Sequence, residues 1–570
     1  MVLMHKENEA DVVTVPSSLA VQGINATAYV VKELNRLSET GGTLRFEPGE
    51  YHFYEDGALN GFFTPSNNAS GKKRVCFPLL DAHGLTVDGG GAVFVFHGMA
   101  FPFIVSESSD VTLCNFTVDT AQSTVAALEI IEKAEEGFYC RIDREKSPFR
   151  TENGHLIFER ENGCVSTADG KLSLHSLTRT NIKYLFAGDT DASVENLAAP
   201  YIFTDAFDRD DGTVYFRYRA ESQIPVPYEI GEPVVINLEE KRERAVFFLE
   251  NSENVTVRDI TLRRGGGMGV IAQLCENVTV ENVRTDKACH GDAVTLTADA
   301  LHFVQCSGTV TIQNCNMESF LDDAINIHGV YTVVDSVEKD RLHVHLGHAE
   351  QDFFNPYKAG DVLRILNHET LEVVCEAVVR DVYFTSNDGC TLAVKAEFPM
   401  GTASIKSGFL VENPGRMPDI VLRNNCFRDF PHILLSGEGT MWIENNRICD
   451  CLNAAVFRDL SKYWYESGRL GTVYFCGNTL ENCNKLGGNA FIEIGVSGYE
   501  PENAPLIHEH IEITDNTFVG LSAYAVRGGG VKEICLADNI CDGKAQTSEH
   551  FRIADGVKPI CKRKGAAYHV

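Results

Sequence analysis

The sequence predicts an all-β fold: a parallel β-helix that carries two inserted β-barrel-like domains. Three observations point there. Short runs of Val, Ile and Thr alternate with polar residues at the period of a strand. A phrase returns at near-constant spacing, "NVTVRDITL" from Asn254, "NVTVENVRT" from Asn277 and "TVTIQNCNM" from Thr309, the first two 23 residues apart. Long stretches with helical periodicity are scarce. Short strands with Asn-rich corners at such a period mark a solenoid, in which one coil cannot bury its apolar face alone and stacks on the next.

Each segment follows from local chemistry. Residues 1–120 hold an N-terminal cap and the first coils. "NATAYVVKELNRLSET" places apolar residues at helical spacing and predicts a helix over the open end of the stack, where unpaired strand edges need cover. "GGTLRFEPGEYHF", "GLTVDGGGAVFVFHG" and "SSDVTLCNFTVD" then set up strands separated by Gly and Pro turns. Residues 121–243 lose the period and the Asn corner, which predicts a β-rich, barrel-like insertion. Residues 244–329 return to the beat as the central coils and carry the candidate active site. Residues 330–415, with "RLHVHLG" and "GDVLRILNHETLEVVCEAVVRDV", read as a second barrel-like insertion. Residues 416–570 form the last coils, with corners at "RNNCF", "ENNRI", "DNTF" and "DNIC". Asparagines repeated at one corner are expected to stack as an internal amide ladder, coil upon coil at about 4.8 Å.

Composition narrows the function. A formal charge of −30 over 570 residues argues against a phosphate-binding surface, so nucleic acid is not an expected partner. No apolar run is long enough to span a membrane, and the first ten residues lack the basic and apolar blocks of a signal peptide. Eighteen cysteines fall without paired spacing, several inside strand-like runs such as Cys114, Cys315, Cys426, Cys449 and Cys535. Small apolar fillers of this kind favour a reducing, cytoplasmic compartment, the alternative being a secreted or periplasmic protein whose signal has been removed. The two insertions offer surfaces for a homodimer.

The chemistry gathers around "MESFLDDAINIHGV", residues 317–330, where Asp322 and Asp323 stand side by side in a strand-like run. Adjacent carboxylates repel and are costly to desolvate, so the pair calls for solvent, a cation or a chemical task. Two registers bring a third carboxylate beneath it. Asp299 lies 23 residues before Asp322, and alignment of "GDAVTLT" with "DDAINIH" sets Asp292 under Asp323 instead. Either way His290, Asp292, Asn326 and His328 are the candidate substrate-binding groups of the patch, with His302 beside them. The ordered Asp-rich loop of a calcium site is missing, and the His343, His345 and His348 set reads as a surface strand, so neither metal nor cofactor is expected. Crowded carboxylates instead suit general acid and base work on a glycosidic bond, because repulsion keeps a proton on one while others stay ionised.

The phrases "GDAVTLTADALHFVQCSGTVTIQNC" and "DDAINIHG", followed at once by a barrel-like insertion, resemble glycoside hydrolase family 110, the α-1,3-galactosidases. The resemblance runs from "GGTLRFEPGEYHF" to the last "DNIC". It implies a right-handed parallel β-helix with inserted barrels and metal-free, inverting removal of terminal α-1,3-linked galactose from blood-group B type or linear α-1,3-galactosyl glycans. It further implies Asp322 as general acid, with Asp323 and Asp299 activating water. A polygalacturonase-like hydrolase is the nearest alternative on this fold, but its "NTD", "GHG" and "RIK" phrases read here as "TAD" and "CHG" with no "RIK", and an acidic surface repels a polyuronate. A non-catalytic glycan-binding or adhesion module is the alternative of another class. "KYWYESG" at 462–468 offers aromatic faces for a sugar platform, and Glu438 follows the second insertion closely enough to reach a cleft.

Overall fold

The computed structural model describes residues 11–169, 172–177, 183–186, 202–209, 213–218, 229–239, 242–485, 489–555 and 557–559. Its frame is a parallel β-helix. Inward positions stack in register: Val255, Val278, Val310, Ile420, Met441, Val473, Ile511 and Ile534 form one column, each paired with the next coil's member. All eight are buried in one continuous core. The 23-residue repeat therefore measures one coil, and alternation along each strand sends every second side chain into that core.

Each coil turns where a residue adopts left-handed backbone. Asn282, Asn314, Asn424, Asn445, Asp515 and Asp538 all have φ between 51° and 58°, and Gly477 takes the same corner. Asn, Asp and Gly are the residues that tolerate this conformation, which is why the corner phrases recur in the sequence. The residue that follows points inward. From Asn425 on it is asparagine: the side-chain amides of Asn425, Asn446, Asn478 and Asn516 each donate to the next asparagine at 2.9–3.0 Å, and that of Asn539 ends the ladder on Gln546 at 2.6 Å. The internal ladder is thus confined to the last coils. In the earlier ones Ile260, Val283 and Cys315 occupy the inward place. Asn254 and Asn277 also stack, the Asn277 amide donating to Asn254 Oδ1 at 3.1 Å, but on the outside of the coil.

The N-terminal helix, Thr27–Thr40, covers the first coils with Val30, Leu34 and Leu37 buried against them. The first insertion closes into a seven-stranded barrel between Val125 and Asn237, and the second into a six-stranded barrel between Thr332 and Glu412. Each has its own apolar core, around Ile130, Phe138 and Phe216 in one and Val344, Ile365 and Val394 in the other. The first docks on the helix through Val125, Val235, Val294 and Leu321, the last of these immediately before the aspartate pair. Among the described residues no helix is long and apolar enough to cross a membrane, and every cysteine is free, most of them buried.

Candidate active site

The backbone register settles which carboxylate lies under the pair. Strand Leu301–Val304 pairs in parallel with Ile325–Val330, setting His302 beside Asn326 and Val304 beside His328. One step earlier, the Ala300 amide donates to the Asp323 carbonyl at 2.8 Å. Asp299 therefore sits one coil below Asp323, not Asp322, and Asp292 does not come beneath the pair. The extra residues of this coil lie between Arg284, which pairs with Asn316, and Leu296, which bridges to Phe320. They form an excursion around the short helix Lys287–Cys289 that carries His290 and Asp292 away.

Asp299, Asp322 and Asp323 lie in irregular bends just before their strands, so successive side chains escape the strict alternation of a strand. Ala300 and Ala324, the residues that follow Asp299 and Asp323, are buried in the core on the inside of these bends. Asp323 and Asp299 are almost fully enclosed, whereas the Asp322 side chain keeps 39% of its surface exposed. The Asp323 amide donates to Asp322 Oδ1 at 3.1 Å and fixes the pair to each other.

The enclosing groups split the three carboxyls electrostatically. Burial, followed by the Asp322 and Asp299 charges and Glu466, pushes the Asp323 carboxyl well above its ordinary range and towards its protonated form. Burial also works against a charge on Asp299, but the hydrogen bond from His302 Nδ1 at 2.7 Å and the field of Arg242 hold it below the usual carboxylate range. Arg242 makes an ion pair with Asp322 and donates to the Asn67 carbonyl at 3.3 Å. Partly buried, Arg242 keeps its proton against desolvation because Asp322, Asp299, Glu350 and Asp323 lie around it. His328 is pushed down to about 3 by burial and by His302 beside it, and is neutral.

Three members of the site are not legible in the repeat. Arg242 arrives on the segment returning from the first barrel, with φ of 52°. Asn67 comes from the irregular stretch before the strand Gly71–Leu80, and its amide donates to Glu466 Oε1 at 3.4 Å. Glu466 follows the aromatic loop, pairs antiparallel with Val330, and lies 3.6 Å from His328 Nε2. The loop itself folds against the second barrel: the Trp464 ring lies tilted at 35° over His348, with ring centroids 4.5 Å apart.

Other sequence candidates fall outside this cluster. His290 Nε2 lies 2.6 Å from Asp119, and Asp292 pairs with Arg264 at 2.5 Å, both in an ion-pair group at the foot of the first barrel. These contacts satisfy them where they stand, and neither touches the three carboxyls. Glu438 is held by Arg364 and Arg469 at the foot of the second barrel. His345 pairs with Asp335 and His343 with Glu338, and among the described residues no group of three His, Cys, Asp or Glu side chains is arranged to hold a metal ion.

Glu466 leads to a stability prediction. Burial first, and the Asp299 charge next, push its carboxyl up to about 8 from an ordinary 4.5. Between those values the unfolded chain releases the proton while the folded one keeps it, so wild-type stability falls as pH rises from 4.5 to 8. Glu466→Gln has no proton to release and is expected to gain on wild type over that window by a few kcal/mol, on the order of its pKa shift. Thermal unfolding at the two ends of the window reads this, and a gap between variant and wild type that does not widen with pH rejects it.

No family model matches the chain. Curated relatives do. It is 28% identical to an α-1,3-galactosidase A of Shewanella woodyi over 84% of this chain and 76% of that one. An α-1,3-galactosidase B of Bacteroides thetaiotaomicron is 25% identical, covering 87% and 80%, and an α-1,3-galactosidase A of Streptomyces avermitilis 26% identical, covering 83% and 77%. Among solved structures, the A-module of a mannuronan C-5 epimerase of Azotobacter vinelandii aligns over 97% of this chain and 100% of that one, with a TM-score of 0.40 and 10% identity.

Proposed function

We propose that this chain is an exo-acting, inverting α-1,3-galactosidase that releases terminal α-1,3-linked galactose from blood-group B type or linear α-1,3-galactosyl glycans. That it is a glycosidase follows from relatives named α-1,3-galactosidase across most of its length. The observation that carries the mechanism is the split among three carboxyls on adjacent coils, one holding a proton and one held ionised.

Inversion needs an acid at the leaving oxygen and a base that holds water on the other face of the sugar. Asp322 is the most exposed of the three, where a leaving aglycone can be reached, and serves as the proton donor. Asp323, once its proton has passed to the neighbouring Asp322, and Asp299, enclosed one coil below, hold the water and accept its proton. A second assignment has an observation of its own: without substrate the proton rests on Asp323, while Arg242 pairs with Asp322. On that assignment Asp323 is the acid. The carboxyls form a coupled set with one proton, so substrate that displaces Arg242 from Asp322 would decide where it goes.

The stereochemistry is read by following the first-formed sugar by proton NMR on an α-1,3-galactosyl disaccharide. Inversion yields β-galactose first, with the α anomer rising only by mutarotation. Initial α-galactose rejects the mechanism, and no galactose from any α-galactoside rejects the activity.

A further inference from the structure

Asp299, His302 and His328 form a hydrogen-bonded chain buried beside the proposed water site. His302 Nδ1 meets Asp299 Oδ2 at 2.7 Å, His302 Nε2 meets His328 Nε2 at 3.1 Å, and His328 Nδ1 meets the Gly329 carbonyl at 2.6 Å. Both imidazoles are within 2% of complete burial. Each contact needs one hydrogen. A carbonyl only accepts, so His328 Nδ1 carries a proton; two nitrogens facing each other need a second; the carboxylate contact needs a third. Two neutral imidazoles supply two protons. The chain therefore holds one more.

We infer that this extra proton resides on His302, and that the resulting imidazolium is the positioning group that fixes Asp299 as an ionised, oriented base. The placement follows from the neighbours. Arg242 and the His302 contact itself favour the carboxylate form of Asp299, and His328 lies in a pocket that rejects charge. That leaves His302, flanked by an anion on one ring nitrogen and an acceptor on the other. The remaining titratable groups facing Asp299 are Asp323, on the next coil, and Glu466, on the return strand; Glu466 also borders His328. Both carboxyls are pushed towards their neutral forms, so they add little negative charge to compete for the proton. The two rings stand nearly perpendicular, at 85°. The Ile271 and Asn326 positions flank His302 on the coils below and above. In a retained imidazolium the cation does not act on substrate: it keeps Asp299 ready to accept a proton from water and stops its carboxyl from rotating.

The role of Asp299 as base rests on the proposed activity, but the proton count does not, and the two are tested separately. Histidine-selective nitrogen-15 labelling reads protonation directly on the full chain at neutral pH. His302, assigned by its loss in His302→Gln, is expected to show two protonated ring nitrogens, and His328 one. A neutral His302 overturns the inference whether or not the protein has activity. If activity is present, His302→Gln, verified as folded by its melting transition, is expected to lower kcat by about 10²-fold with KM little changed. It should also move the acidic limb of kcat/KM up by about one to two pH units, because Asp299 loses its cation. A shared proton with an unmoved limb makes the pair structural and overturns the positioning role. His328→Gln, which offers an acceptor to His302 and a donor to Gly329, should keep most of the activity that His328→Phe loses; equal loss in both counts against the chain.

Discussion

Asp322→Asn is expected to lower kcat on an α-1,3-galactosyl disaccharide by about 10³-fold with little change in KM, the deficit of an enzyme without its proton donor. The side chain is half exposed and its ion pair is with an arginine that retains other carboxylates nearby, so the fold should persist and melting should stay close to wild type. The discriminating measurement is on α-galactosyl fluoride, whose leaving group needs no protonation. There Asp322→Asn should recover most of its rate, while Asp299→Asn and Asp323→Asn, which disable water, should not. Azide offers those two an anionic nucleophile and should restore turnover with a β-galactosyl azide product. The alternative assignment gives a different pattern: if Asp323→Asn recovers on the fluoride and Asp322→Asn does not, the acid is Asp323. Full activity in all three variants on the disaccharide removes the cluster from catalysis altogether.

Much of the frame could be read before the structure because a solenoid writes its register into its sequence. Val255 and Val278 are one coil apart in sequence and paired in space. The corner asparagines are visible because left-handed backbone restricts the residue type, as at Asn424 and Asn445. Two insertions were visible as loss of period. What the period could not provide was the site's third member: Asp299 and Asp292 both fit a register, and only the hydrogen bond from Ala300 to Asp323, on the far side of an excursion, separates them. Arg242, Asn67 and Glu466 were hidden for a different reason. They come from the end of an insertion, an irregular early segment and a return loop, and are brought together by tertiary folding with no shared spacing to reveal them. The repeat places His302 beside the patch, but its link to Asp299 is a matter of side-chain direction, which a repeat length does not encode.

The asparagine ladder makes the strongest structural demand on the last coils. Asn478 stands in its middle. Its Oδ1 accepts from the Asn446 backbone amide at 2.9 Å and side-chain amide at 3.0 Å, and its own amide donates to the Ile443 carbonyl at 2.8 Å and to Asn516 Oδ1 at 3.0 Å. Asn478→Ala deletes these at once and leaves donors and an acceptor stranded where water has no access, since Asn446 and Asn516 are also buried. Each stranded group costs about 1–3 kcal/mol, so a loss of about 3–5 kcal/mol is expected after partial relaxation. Asn478→Asp keeps the acceptor but surrenders both donors and buries a charge, and should be no better. The control is Asn254→Ala on the outer ladder, where solvent replaces the lost partner and the cost should stay below about 1 kcal/mol. Thermal unfolding of the three variants beside wild type reads the order. A melting point for Asn478→Ala no lower than that of Asn254→Ala means that the corner is hydrated or repacks, and that the coils are held together by their apolar columns alone.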